Sequence, residues 1–244
     1  MRKILGTLAL CLATSLPAKA TTFNVVGTEV PPLMYSVDDK AKGFYVDLLE
    51  AMVSNLDDTE VKISFYPAKR MFQEIAKTEK TFSLGITRNE KREELYKWVG
   101  PIYPRIFALF KNKDRSDIQV DSLADIRSYR IGVGRGYAAV NDLLKAGVPQ
   151  KNIHEATDDT LNIKKLFRNR VDFVVMNDIM LAALLKKEGK NWGDVEKALI
   201  LNDQYEFWYA FNKNTDDQTI AKFQRALDQL KTDGRYDQIV KKYF

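Results

Sequence analysis

Short β-rich runs alternate along this chain with longer stretches in which apolar residues recur at helical spacing, the pattern of an α/β protein whose helices pack on open sheets. Phe23 to Gly27 predicts a strand, Gly43 to Asn55 a helix, Val61 to Tyr66 a strand and Ala68 to Lys77 a helix. The alternation resumes after a gap. Ser122 to Asp125 opens a short helix, Arg130 to Val133 predicts a strand that ends in glycines, and Ala138 to Lys145 a helix closed by Gly147 and Pro149. Thr160 to Asn169 predicts a helix and Val171 to Met176 a buried strand. Two aromatic-rich extended segments, Arg105 to Asn112 and Tyr205 to Asn212, bracket the second half and read as paired crossings between two lobes. Ile220, Phe223, Leu227 and Leu230 place one stripe on a last helix over Thr219 to Lys231.

The start of the chain changes the picture of where it works. Arg2 and Lys3 precede an apolar run from Ile4 to Leu16 and then Ala18-Lys19-Ala20, the layout of a cleaved secretory signal, so residues 1–20 are expected to be removed. That run is short for a membrane span, and no later segment is long and apolar enough. Cys11 is the single cysteine and lies inside the leader; Leu10 before it fits poorly with the small residue a lipoprotein signal needs. The mature chain of about 224 residues then has no cysteine, hence no disulfide, thiolate nucleophile or cysteine-bound metal. Its formal charge falls from +5 to +2 when Arg2, Lys3 and Lys19 leave, which gives no electrostatic support for a nucleic-acid partner. His154 is the only histidine and reads as a structural or surface residue, so no metal or cofactor is expected.

Four stretches in order along the mature chain carry a resemblance. They are Gly43-Phe-Tyr-Val-Asp47, then Gly85-Ile-Thr87-Arg-Asn-Glu-Lys-Arg92 followed by Trp98-Val-Gly-Pro101, then Asn169-Arg-Val-Asp172-Phe-Val-Val, and finally Asp233-Gly-Arg-Tyr to Phe244. Together they resemble the periplasmic solute-binding proteins of polar amino acid ABC transporters, bacterial extracellular solute-binding protein family 3. The resemblance implies a two-lobed fold of type II, each lobe an open sheet flanked by helices. Lobe one would comprise 21–107 plus 208–244 and lobe two 108–207, with hinge strands near 105–112 and 205–212. It further implies a monomer in the periplasm that closes on a small polar ligand and meets an inner-membrane permease. A sensory module, or a periplasmic dehydratase on the same fold, stands as the alternative; binding without chemistry is the expectation.

The candidate site follows residue by residue. A guanidinium pairs with a carboxylate through two parallel hydrogen bonds, and by resemblance Arg92 holds the ligand's carboxylate. The bland alternative is a solvated arginine, since Glu90, Lys91, Glu93 and Glu94 surround it. Thr87 stands where the family has a ligand-bonding hydroxyl, and Gly85 would let the backbone approach closely. In Gly132-Val-Gly134-Arg-Gly136 the glycines could cradle an anion, with Tyr137 shaping or capping the pocket where the family often has a small hydroxyl residue. The family's second-lobe aspartate, which neutralises an ammonium, falls on Asn177, with Asp178 next. Either Asp178 takes that role, or it caps a helix and the ligand is not an ordinary α-amino acid. Arg70 is a candidate second anion contact, Tyr35 a candidate wall, and Glu29 faces either the cleft or solvent. Trp98, Phe207 and Trp208 read as packing rather than ligand contacts.

Overall fold

The computed structural model describes residues 20–243, so the leader and its cysteine lie outside the described residues. The chain opens with β1 (Thr21–Gly27), a hairpin of β2 (Tyr35–Val37) and β3 (Lys40–Lys42), α1 (Phe44–Val53), β4 (Thr59–Phe65), α2 (Ala68–Lys77), β5 (Thr81–Ser83), β6 (Ile86–Thr87) and α3 (Glu90–Glu93). Then comes β7 (Tyr96–Asn112), followed by β8 (Ile131–Gly134), α4 (Ala138–Lys145), β9 (Ile153–Ala156), α5 (Asp159–Phe167), β10 (Phe173–Met176) and α6 (Asp178–Lys187). The return strand β11 (Val195–Asn212) leads to α7 (Asp217–Thr232) and α8 (Arg235–Lys241).

Two long antiparallel strands, β7 with 17 residues and β11 with 18, run through both lobes and carry a half-sheet at each end. Beside the carboxyl half of β11, β5 joins at Phe211↔Phe82 and β6 at Phe207↔Thr87, while β1 lies parallel between β5 and β4. Beside the carboxyl half of β7, β10 pairs antiparallel at Val174↔Phe110, and β8 and β9 follow in parallel. The resulting order is β4-β1-β5-β11-β7-β10-β8-β9. Register shifts interrupt the β7–β11 ladder on both sides of Asn202 and again between Phe207 and Tyr209. Each adds local twist, which lets one pair of strands serve two differently oriented half-sheets.

The strands in mid-sheet are buried on both faces, which is why Phe-Val-Val-Met of β10 is a continuous apolar run. Aromatic rings hold the first lobe together: Phe82 stacks on Phe211 at 4.2 Å, and Phe223 of α7 meets Phe23 at 5.3 Å and Phe211 at 5.1 Å, edge-on. A separate cluster built on Leu109, Ile131, Val133, Leu143, Phe173 and Val175 fills one face of the second lobe. Side-chain caps set the helix starts. Asp158, Asn177 and Asp216 accept from backbone N–H groups of Thr160, Met180 and Thr219. The predicted crossings are therefore the carboxyl halves of longer strands. Gly100 and Pro101 lie inside β7, where such residues ordinarily end a strand, and the mixed run Val195 to Gln204 hid the first half of β11.

Candidate functional site

The parallel strands of both lobes point their carboxyl ends at one place. Thr28 follows β1, Gly85 follows β5, Gly136 follows β8 and Asn177 follows β10, and all four line a cavity of about 300 Å³ between the lobes. This is where open α/β sheets take ligands, because the strand ends leave loops and helix starts facing a crevice. Most of the lining is apolar: Met34, Met71, Phe72, Phe107, Met180 and Phe207 supply its walls.

Arg92 is the first polar feature. Asn89 caps α3 by accepting from the Arg92 N–H at 3.2 Å, and the guanidinium turns back so that Nη1 donates to the Thr87 carbonyl at 2.9 Å. Its planar group lies over the Phe72 ring at 4.8 Å and makes no ion pair with any described residue. Burial lowers its pKa from the usual value, yet a guanidinium stays charged. A half-buried cation whose fork has one carbonyl partner is poised for an anion.

Arg105 is the second. It is 4 % exposed, lies in β7 at the crossing, and packs over Phe107 at 4.7 Å. Burial lowers its pKa, Asp142 and Tyr205 draw it back, and the charge of Arg92 lowers it again. Its nearest carboxylate is Asp142 Oδ2 at 3.8 Å, an oxygen that is buried without a hydrogen-bond partner. Arg92, Arg105, Thr87 and Ala138 also line a second cavity of about 580 Å³, whose other walls include Glu90, Lys91, Asn141, Asp142 and Asp203. The two guanidiniums thus stand at a partition between an apolar chamber and a polar one.

From the second lobe come Asn177 and Tyr137. Asn177 is 3 % exposed and its Oδ1 is taken by the Met180 N–H at 2.9 Å. Tyr137 precedes α4, whose first N–H groups have no partner within the helix. Its hydroxyl donates to Asp159 Oδ2 at 2.7 Å, which anchors the side chain where it lines the cavity. A Cβ on Gly134 would lie 2.4 Å from that ring, so glycine there makes room for Tyr137.

Five sequence candidates therefore meet at the cavity: Gly85, Thr87, Arg92, Tyr137 and Asn177. Gly85 also meets a need the sequence did not suggest, since a Cβ would strike the Tyr45 ring at 2.7 Å. Three candidates lie elsewhere. Arg70 has a side chain 60 % exposed, stacks on Tyr66 and pairs with Glu74 one turn along α2. Tyr35 sits on the β2–β3 hairpin beside Lys42 and Tyr243, and Met34 takes the place at the cavity wall. Asp178 begins α6 and binds Lys197 Nζ at 2.9 Å; the cap of that helix is Asn177. Glu29 also turns away, accepting from the Ser36 N–H at 3.0 Å. His154 lies in β9 opposite Gly132, away from the cavity. Trp98 and Trp208 both face the Arg88 guanidinium, which Glu93 holds, while Phe207 lines the cavity. Asp172 is structural, accepting from the Arg130 N–H and side chain and from Arg115.

Arg105, Phe107 and Phe72 were missed. The signal for Arg105 was present, a charged residue inside the apolar run Tyr103-Pro-Arg-Ile-Phe107.

The comparisons agree with this architecture. A probable amino-acid-binding protein of Bacillus subtilis (strain 168), YxeM, is 26 % identical over 219 residues, 87 % of this chain and 80 % of that protein. A probable histidine-binding protein of Campylobacter jejuni is 24 % identical over 233 residues, 93 % of this chain and 86 % of the other. Among solved structures, a histidine kinase sensor domain with similarity to periplasmic binding proteins superposes with a TM-score of 0.70 at 18 % identity, covering 93 % of this chain and 97 % of that one. No described helix is long and apolar enough to cross a membrane. With residues 24–244 matching the family model, the chain belongs to the bacterial extracellular solute-binding proteins, family 3.

Proposed function

We propose that this protein captures a small carboxylate-bearing solute, an amino acid or a related acid, in the periplasm and delivers it to an inner-membrane ABC importer without changing it chemically. One observation carries the reading: Arg92, charged and without a carboxylate partner among the described residues, faces a cavity lined from both lobes. The lobes, taken as 21–107 with 208–244 and 108–207, close about the crossings of β7 and β11. A ligand favours the closed state only by touching both sides, and the cavity offers Arg92 on one and Asn177 and Tyr137 on the other.

Two relatives named for amino acids make amino acids the first ligands to try. Capture without catalysis is supported by the cavity's chemistry, since no carboxylate or imidazole among the described residues lines it to serve as general acid or base. Likeness to a kinase sensor domain favours signalling as the second reading, because a receptor can read the same closure. The deciding experiment is uptake of radiolabelled ligand by cells with and without the gene. Lost uptake, restored by the wild-type gene and not by Arg92→Ala, supports delivery; unchanged uptake with a lost transcriptional response supports sensing.

A further inference from the structure

The polar groups around the apolar chamber form an unbalanced set. Arg92 and Arg105 bring two positive charges, and no carboxylate among the described residues lines the chamber. Asn177 brings no countercharge for an ammonium, and its Oδ1 already accepts from the Met180 N–H. The Thr87 carbonyl is taken by Arg92, and the Tyr137 hydroxyl by Asp159. Three nearby carboxylates lie outside the chamber's lining. Asp159 accepts from Tyr137, Asp178 accepts from Lys197 through Oδ2, and Asp142 lies toward the polar chamber, beside Arg105.

An α-amino acid carries its ammonium one carbon away from its carboxylate. Held by Arg92, that ammonium would stand near two guanidiniums in a chamber whose lining brings no carboxylate, which is costly for any cation withdrawn from water. A carboxylate alone meets only complementary charge. Resting on the reading of a carboxylate site, we infer that the ligand is an amine-free carboxylic acid, a 2-oxo acid or a simple acid, with an apolar body that fills the chamber. A volume of about 300 Å³ and walls of methionine and phenylalanine suit a body of phenyl or isobutyl size.

The test is isothermal titration calorimetry on mature protein refolded to remove any co-purified ligand. Two matched sets serve as probes: phenylalanine, phenylpyruvate and 3-phenylpropionate; and leucine, 4-methyl-2-oxopentanoate and 4-methylpentanoate. At least one amine-free acid should bind tenfold or more tighter than its amino acid. Asn177→Asp keeps an equally good helix cap and adds the missing countercharge, so at an unchanged melting temperature it should narrow or reverse that ratio. An amino acid bound as tightly as its acids by the wild type, with binding lost in Arg92→Ala, overturns the inference and leaves the carboxylate site standing. Failure of both sets to bind overturns the inference together with the reading beneath it.

Discussion

On the proposed reading, replacing Arg92 by alanine should separate binding from folding, because the residue would contribute to the two through different contacts. A forked pair with a carboxylate supplies two charge-assisted hydrogen bonds at about 1.5 to 3 kcal/mol each. Arg105 remains in the variant as a second cation and can take part of the load, so the low end is appropriate, about 3 kcal/mol, which is roughly 150-fold in affinity. Against folding, the change removes one bond to the Thr87 carbonyl and a stack over Phe72, but it also removes the cost of burying a guanidinium that has no partner charge. The cap of α3 survives, since Asn89 bonds the backbone N–H of residue 92 and not its side chain. The net stability change should stay within about 1 kcal/mol. Lysine at the same position keeps the charge and loses the fork, so its affinity should fall between the two. Calorimetric titration with the wild-type ligand measures the first quantity and a thermal melt the second. Affinity within about threefold of wild type, or a collapse of the melt alongside the affinity, would refute the reasoning.

Three further substitutions test the surroundings. Tyr45 buries a hydroxyl that has no hydrogen-bond partner, so Tyr45→Phe should leave stability unchanged or raise it by up to about 2 kcal/mol in chemical denaturation; a loss would mean the hydroxyl has a partner in solution. Asp142 stands 3.8 Å from Arg105, so Asp142→Asn should lower the melting temperature by unpairing a buried cation and tighten anion binding several-fold in the same titrations. Burial alone would raise the Asp172 pKa, but hydrogen bonds from Arg130 and Arg115 outweigh it and hold the carboxyl below its ordinary value. The stabilisation from this ionised carboxylate is therefore complete above the ordinary carboxylate range and is lost as pH falls through the depressed folded value. Asp172→Asn should cost about 2 kcal/mol near neutral pH, discounted for the partial exposure of Arg130, and the gap from wild type should close on acidification.

The fold was legible because its core strands and helices announce themselves by period. Phe23 to Gly27, Val171 to Met176 and the stripe from Ile220 to Leu230 are patterns set by local geometry and burial, and each became the expected element. The site was legible only where a contact is local. Thr87 and Arg92 are five residues apart and one short helix brings them together, so their sequence spacing already contains their geometry. Arg70, Tyr35 and Asp178 lie outside the cavity lining for the opposite reason. Each lies next to a cavity-lining residue, and a shift of one position decides which side chain turns inward: Met34 does and Tyr35 does not, Asn177 does and Asp178 does not. The charge of Arg105 within an apolar run was visible, but not its place, which depends on a strand crossing where Tyr205 and Asp142 come in from distant parts of the chain.

That one-residue decision at 177 and 178 has a consequence for closure. Had the aspartate faced inward, both lobes would grip a zwitterion by opposite charges, the first lobe through its arginine and the second through its carboxylate. With Asn177 at the cavity and its oxygen already accepting from the Met180 N–H, the second lobe would meet the proposed ligand through neutral groups, Asn177, the Tyr137 ring and Met180. Closure must then draw on apolar burial, worth about 25 cal/mol for each square ångström covered, more than on charge. On the proposed reading the apolar body of the ligand, not its carboxylate, would set how far the equilibrium moves toward the closed state, because Arg92 lies on one lobe and could hold the carboxylate in either state. Lengthening the acid one methylene at a time should therefore tighten binding by about 0.8 kcal/mol per step until the chamber is full, and salt should weaken every member of the series equally. A series whose affinity ignores chain length while falling with salt would mean that charge alone closes the protein.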